Sequence, residues 1–508
     1  LLDVSFGQST VDVSKSRVMV RRPFEAMIDS NPIAAAAPLY DLARDRQPPS
    51  WWRLIKDAVR GAELDLTQAP LNRALVALAV PMILEMIMES VFAMVDVFWV
   101  AHLGARAVAT VGLTESMMMI VYSLAMGVSI GAMALVARRI GEKDPDAAAR
   151  TAVQGIWLGV GMALLIGALG AVFAPNLLAL MGADAELIRT GTSFTRVMLG
   201  GNVTVFLLFL INSVFRGAGD AAQAMRVLWL GNALNIVLGP LFIFGIGPFP
   251  ELGVTGAAVA TTAGRGIAVL YQLFVLGRGA GKLKVVRAHL RLQPALMGAV
   301  LKLSTSATVQ MLISMTSYIG VMRILSSFGS APLAGYTIGF RIFMFAILPA
   351  FGLANAAATL VGQNLGAKEP QRAEDAVWRA SRVSAGFLCV IGVGFLVGAP
   401  WLVSLFTADA EVAVYAVRYL RIVSLGFPFY GYGMVVSQSF NGAGDTRTPT
   451  LINLLVFWAL QIPLAWLLSH HTALGPHGVF ATLAISFSVY AVVSVLAFRR
   501  GTWKRTRV

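Results

Sequence analysis

Twelve apolar runs divide this chain, each close to or above the length that crosses a bilayer, and they leave room for little else. They lie near 74–100, 107–137, 149–174, 190–215, 224–247, 253–276, 296–327, 333–361, 377–403, 413–438, 448–469 and 475–498. A spanning helix needs roughly 20 predominantly apolar residues, and the longer runs imply tilt or helix projecting past the lipid. Backbone groups in lipid must be satisfied within their own segment, which makes these runs helices. They are continuous rather than alternating, which argues against a β-barrel. Only 13% of the 508 residues are charged, against about 25% in soluble domains. The expected fold class is an all-α membrane protein of twelve transmembrane helices.

The formal net charge of +14 does not point to nucleic acid, because the cations sit in short clusters between apolar runs. That distribution suits loops facing anionic lipid headgroups. Arg138, Arg139 and Lys143 follow span 2, and Arg278, Lys282, Lys284, Arg287 and Arg291 follow span 6. Lys368 and Arg372 follow span 8, and Arg499, Arg500, Lys504, Arg505 and Arg507 close the chain. The alternate loops are nearly free of them, with Arg106 after span 1 and none after spans 5, 7 and 11. Both termini are therefore expected in the cytoplasm. Residues 1–65 form an N-terminal extension without the apolar core of a secretory signal, and no function is assigned to residues 1–50. Within it, Trp51, Trp52, Leu54, Ile55 and Val59 alternate with Arg53, Lys56 and Arg60, the pattern of an interfacial amphipathic helix. The single cysteine, Cys389, excludes an internal disulfide and reads as a small buried apolar side chain.

The chain repeats itself at an offset of 225 residues. Arg139-Ile-Gly-Glu-Lys-Asp-Pro145 answers Asn364-Leu-Gly-Ala-Lys-Glu-Pro370, and Phe215-Arg-Gly-Ala-Gly-Asp220 answers Phe440-Asn-Gly-Ala-Gly-Asp445. Pro175 with Ala183-Asp-Ala-Glu186 answers Pro400 with Ala408-Asp-Ala-Glu411. Three ordered matches at one offset indicate duplication. Six spans per repeat keep both halves in the same orientation, related by a pseudo-twofold axis along the membrane normal. The expected domains are a six-helix lobe over 66–280, a second over 281–500 and a basic tail over 501–508. Transporters with such repeats bind substrate between the halves and rock them.

Charge inside the membrane is costly, and an ionisable residue there is a functional candidate. Burial disfavours the charged form of a carboxylate, so such a group can load a proton on one side and release it on the other. Asp96 lies in span 1, and the 225 shift places Val321 opposite it, so the halves are chemically unequal. Glu85 and Glu89 precede Asp96 and share its helix face to within roughly 40°. With Glu115 in span 2 and Arg265 in span 6 they make a candidate polar path; salt bridging is the plainer alternative. Arg265 is expected to pair with Glu85, Glu89 or Glu115. Met94 and Met117 on one side, and Tyr318, Tyr336 and Phe340 on the other, are candidates for a substrate cavity, since thioethers and aromatic rings suit promiscuous binding of apolar cations. No Walker loop, nucleophile elbow or metalloprotease motif is present, so an enzyme is not expected. Neither is a cofactor or a bound metal.

The combination resembles the multidrug and toxic compound extrusion (MATE) family over about residues 66–500. The resemblance rests on Ser90-Val-Phe-Ala-Met-Val-Asp96-Val-Phe-Trp-Val-Ala-His-Leu-Gly104, the Phe-Arg-Gly-Ala-Gly-Asp220 turn, Gly231-Asn-Ala-Leu-Asn235 and Leu252-Gly-Val-Thr-Gly-Ala-Ala-Val-Ala-Thr261. It implies secondary active efflux of amphipathic, often cationic small molecules, driven by inward proton or sodium flux. It implies a bacterial inner-membrane location and a bacterial or archaeal type of site, with Asp96 as the cation-coupling residue and Asn235 and Thr261 beside it. The family often carries Asp four residues after the span 5 Asn; here Gly239 stands there, which favours a proton over sodium. A monomer in contact with membrane lipids is expected. The alternative is a flippase for a lipid-linked sugar or other amphipathic lipid, against which twelve spans and an acidic first helix argue.

Overall fold

A computed structural model describes residues 51–61, 64–279 and 281–506; residues 1–50 lie outside them. All regular structure there is helical. The N-terminal half holds α1 (Trp51–Arg60), α2 (Leu71–Ala101), α3 (Ala105–Gly141), α4 (Pro145–Val172), α5 (Ala174–Leu180), α6 (Ala185–Gly200), α7 (Asn202–Ala218), α8 (Ala221–Phe244) and α9 (Val254–Arg278). The C-terminal half holds α10 (Pro294–Ser326), α11 (Ser330–Gly366), α12 (Pro370–Ser404), α13 (Ala410–Ser424), α14 (Phe427–Gly442), α15 (Arg447–Asn453), α16 (Gln461–His470) and α17 (Pro476–Arg499). Among the described residues, eleven helical segments are long and apolar enough to cross a membrane, with α6 and α7 counted as one; α13 and α14 make a twelfth if taken as one span.

That twelfth segment departs from the continuous run expected over 413–438, because α13 and α14 meet at a bend of 59°. Pro428, in the first turn of α14, has no N–H to continue the ladder from α13. The segment over 448–469 also differs: a π turn over Leu454–Leu460 joins α15 to α16. Such a turn absorbs one extra residue into a helix.

The duplication is visible in the backbone. The bounds of α3 and α11 differ by 225, and Gly219 (φ 83) and Gly444 (φ 84) mark equivalent turns. Lys143 and Lys368 both have φ 62 and are the non-glycine residues of positive φ among the described ones. Each ends its helix in a left-handed cap, with Asp144 N bonded to Arg139 O and Glu369 N to Asn364 O.

α2 packs mainly on α8 and on α11, while α10 packs on α3, so each half is stitched to the other by its first helix. The basal half of α2, from Leu71 to Met82, shares a hydrophobic cluster with α11 and the helices after it. Residues 127–137 of α3 and 356–366 of α11 are all buried. At their C-terminal ends the two helices cross backbone to backbone. Gly141 abuts the Gln363 carbonyl, and Gly366 abuts that of Arg138, 225 residues before Gln363. Only glycine permits that approach.

The same end carries the cation clusters. The linker before α2 is clamped there by Lys143, which binds Asp65 at 2.6 Å, by Lys282 on Leu64 O at 3.1 Å and by Arg372 on Leu66 O at 3.2 Å. Beyond α17, Trp503 is fully buried, Lys504 pairs with Glu374, and Thr506 O accepts from Arg138 at 2.5 Å. On α1, Trp51 and Trp52 are exposed and Ala58 is buried, as an interfacial helix requires. Cys389, expected buried, is exposed. It lies on the outward face of α12, where the apolar solvent is lipid rather than protein.

Candidate functional site

The carboxylates of α2 form a ladder, and its two rungs nearer the basic end are matched to polar partners on other helices. Nearest the basic end, Glu85 is fully buried. It accepts from Asn212 Nδ2 of α7 at 3.0 Å and faces Arg216 Nη1 at 3.7 Å. Gln272 of α9 donates to Asn212 Oδ1 at 2.7 Å. One turn along, Glu89 accepts from Asn232 Nδ2 of α8 at 3.0 Å and lies 3.8 Å from Arg265 Nη2 of α9. Arg265 also donates to Tyr122 Oη at 3.3 Å and stacks 5.4 Å above Phe92. Buried charges persist only when paired in this way. Of the three partners expected for Arg265, the structure supplies Glu89.

Asp96 sits about 10 Å further along α2 from Glu89, at 1.5 Å per residue. Among the described residues it has no hydrogen-bond partner; its charged neighbours are Arg265 and Glu115. Asn235 and Thr261 are both buried and bond to each other, Nδ2 to Oγ1, at 2.7 Å. The structure therefore joins Asn235 to Thr261 and leaves Asp96 adjacent to Arg265.

Glu115 and Arg341 are both exposed although they lie within spanning helices. The charge of Arg341 acts on Glu115 across the two halves. Exposed charge does not face lipid, so the space between α3 and α11 is a wet cleft at this level. Since their basal halves are buried against each other, the cleft is closed at the basic end and opens at the opposite one.

The aromatic candidates gather on the far side of that cleft. Tyr318, Tyr336 and Phe340 form one wall, with centroids 4.5 to 5.9 Å apart and planes 24° to 35° apart. They line a cavity of about 190 Å³ together with Phe343, Gln461 and Phe487. Met94 and Met117 do not join them: Met94 is exposed on α2, and Met117 packs on the core of the N-terminal half.

The sequence reading found the acids and missed their partners Asn212, Asn232 and Arg216, as well as Gln272 behind Asn212 and Gln461. The signal was present. Amides inside apolar runs are as foreign to lipid as the acids they satisfy.

A family model described as MatE matches residues 81–241 and 306–467, two stretches that begin 225 residues apart. The probable multidrug resistance protein YoeA of Bacillus subtilis is 25% identical over 444 residues, covering 86% of this chain and 95% of that protein. A FAD transporter of Shewanella oneidensis is 25% identical over 412 residues, covering 80% and 90%. A solved structure described as the outward-facing conformation of a multidrug resistance MATE family transporter of the MOP superfamily has a TM-score of 0.81 at 26% identity. It covers 87% of this chain and 98% of its own.

Proposed function

Because the chain belongs to the MatE family, we propose that it exports amphipathic, often cationic small molecules by antiport with an inward-moving cation, a proton ahead of sodium. It is an integral, multi-pass transporter of that family and not an enzyme. The observation that carries the reading is Asp96, a carboxylate inside a spanning helix with a cation beside it and no hydrogen-bond partner among the described residues.

The basic end faces the cytoplasm of a bacterial inner membrane, by the bias of lysine and arginine toward that side. The cleft then opens outward. In this state Asp96 takes a proton, and its attraction to Arg265 weakens. Arg265 settles on Glu89, as found here, and substrate leaves to the outside. Closure of the two lobes carries the proton to the inner side, with Glu89 and Glu85 as the path toward the basic end. Sodium would need several oxygen ligands. Asn235 and Thr261 are already bonded to each other, and the space beside Gly239 is bordered by Trp99. An arginine next to Asp96 also competes with any second cation. The protein acts as a monomer, with α1 resting on lipid headgroups.

The test is ethidium flux in proteoliposomes under a pH gradient and, separately, a sodium gradient. Flux with the pH gradient that is lost in Asp96→Asn is the expected result. Sodium-driven flux alone overturns the choice of ion. No flux with either gradient overturns efflux of such compounds and turns attention to amphipathic lipids.

A further inference from the structure

The two halves can be superposed residue by residue once the register is followed through α16 and α17. The offset is 225 up to the turns at Gly219 and Gly444. The π turn over Leu454–Leu460 then adds one residue. Gly256 abuts the Phe242 carbonyl and Gly478 abuts that of Leu468, which sets the offset at 226 in α16 and 222 in α17. The caps agree: Gly253 and Gly475 share φ 53 and ψ −133.

In that register five polar members of the N-terminal site have counterparts that line the aromatic cavity. Glu89 answers Ser314, Glu115 answers Phe340, and Asn235 answers Gln461. Thr261 answers Leu483 and Arg265 answers Phe487; all five counterparts line the cavity. Asp96 answers Val321, which is buried three residues along α10 from the cavity-lining Tyr318. Duplication thus set two equivalent groups of residues in the two halves. One carries charge and the other is largely aromatic, with no carboxylate or basic side chain on its lining.

A buried amide oxygen borders the aromatic pocket without a partner among the described residues. Gln461 is 4% exposed, and its Nε2 donates to Ser317 Oγ at 3.1 Å. Ser317 in turn donates to Phe457 O at 2.8 Å, so its oxygen must accept from the amide nitrogen, which fixes the amide orientation. Gln461 Oε1 has no hydrogen-bond partner among the described residues. A buried acceptor left unpaired is costly, and here it borders a cavity walled by stacked rings.

We propose that this cavity holds the aromatic part of the exported molecule: a planar ring system bearing an N–H donor, stacked on Tyr318, Tyr336 and Phe340 and bonded to Gln461 Oε1. The inference rests on the efflux reading above and assigns the two lobes different tasks, the ion in one and the substrate's ring in the other. Arg341, exposed to the cleft, directly follows the cavity-lining Phe340 on α11, so the cavity mouth lies beside the cleft and the remainder of a larger molecule stays there. Aromatic stacking supplies affinity with little regard to the detailed ring, and the buried amide acceptor sets orientation.

Ethidium, a planar cation with ring amino groups, is the probe. Its equilibrium binding to the purified full-length protein in detergent is followed by fluorescence polarisation at one fixed pH without a gradient. Gln461→Leu is expected to raise Kd by about tenfold, the worth of one buried hydrogen bond to a charged ligand. Phe340→Ala, at a half-buried position, raises it about fivefold. Gln461→Glu lowers it by adding charge at the same point, a gain that a damaged fold does not give. Cys389→Ser, on the outward face of α12, leaves it within about threefold. Wild-type binding that is unchanged by Gln461→Leu and Phe340→Ala overturns this subsite alone. A wild-type protein that binds no ethidium overturns the efflux reading and the subsite with it.

Discussion

Arg265 Nη2 lies 3.8 Å from Glu89 Oε1, and the charge of the same guanidinium also acts on Asp96, seven residues further along α2, without an ion pair. One buried cation is thus shared by two carboxylates on a single helix face. Glu89→Gln keeps an acceptor for Asn232 and removes the charge, leaving Asp96 as the anion for Arg265. Gradient-driven flux is expected to fall at least tenfold in Glu89→Gln and to recover in part in the double variant with Arg265→Gln. Additive losses in a double-mutant cycle would show that the three residues do not act together.

The Asn235–Thr261 bond supports a second expectation. Thr261→Val is nearly isosteric but leaves the Asn235 amide without its acceptor. The cost is about 1–3 kcal/mol for an unsatisfied buried donor. Asn235→Ala with Thr261→Val removes both partners and costs less than the sum of the singles. Thermal unfolding in detergent reads the stability change; flux measured alongside tells whether the pair also serves transport.

The span count, the duplication and the acid stripe were legible because lipid penalises charge and rewards long apolar runs, both of which are local in sequence. The partners were harder to read. Asn212 and Arg216 meet Glu85 from a helix far along the chain, and only packing brings them together. The constant 225 offset was legible in the turn motifs but hid the slip to 226 and 222. A π turn leaves no local composition signal, and so the equivalence of Gln461 with Asn235 could not be read from the chain. Tyr318, Tyr336 and Phe340 could be grouped by residue type. Met94 and Met117 carried the same kind of signal and lie apart from them, since methionine is also ordinary helix packing.

The Asp65–Lys143 contact predicts a pH signature outside the membrane. Burial raises the Asp65 carboxyl, but hydrogen bonds from Lys143 and Thr67 and the Lys143 charge outweigh it and hold the group at about 2. A carboxylate depressed in the folded state contributes stability above its unfolded pKa and loses it as pH falls through the folded value. The pair is partly exposed, so its worth is discounted to under about 1 kcal/mol. The melting-temperature gap between wild type and Asp65→Asn should therefore be small and constant near neutral pH, and close between about 4 and 2. A gap that persists at pH 2 would assign the effect to packing instead.

Where α3 crosses α11, Gly366 meets the Arg138 carbonyl, and an added Cβ would stand 2.9 Å from the Gly141 Cα. Backbone on both sides leaves no flexible side chain to yield. Gly366→Ala must push the basic ends of the two halves apart, at about 1–3 kcal/mol for an overpacked contact. Gly386→Ala on α12 is the control, since nothing lies within 4 Å of the added carbon. Gly366→Ala should lower the melting temperature and raise the accessibility of Gln363 to solvent, read by labelling a cysteine placed there in a Cys389→Ser background. If Gly366→Ala melts and labels as Gly386→Ala does, the closure of the basic end does not depend on this crossing, and the clamp of Asp65, Lys143 and Arg372 becomes its principal support.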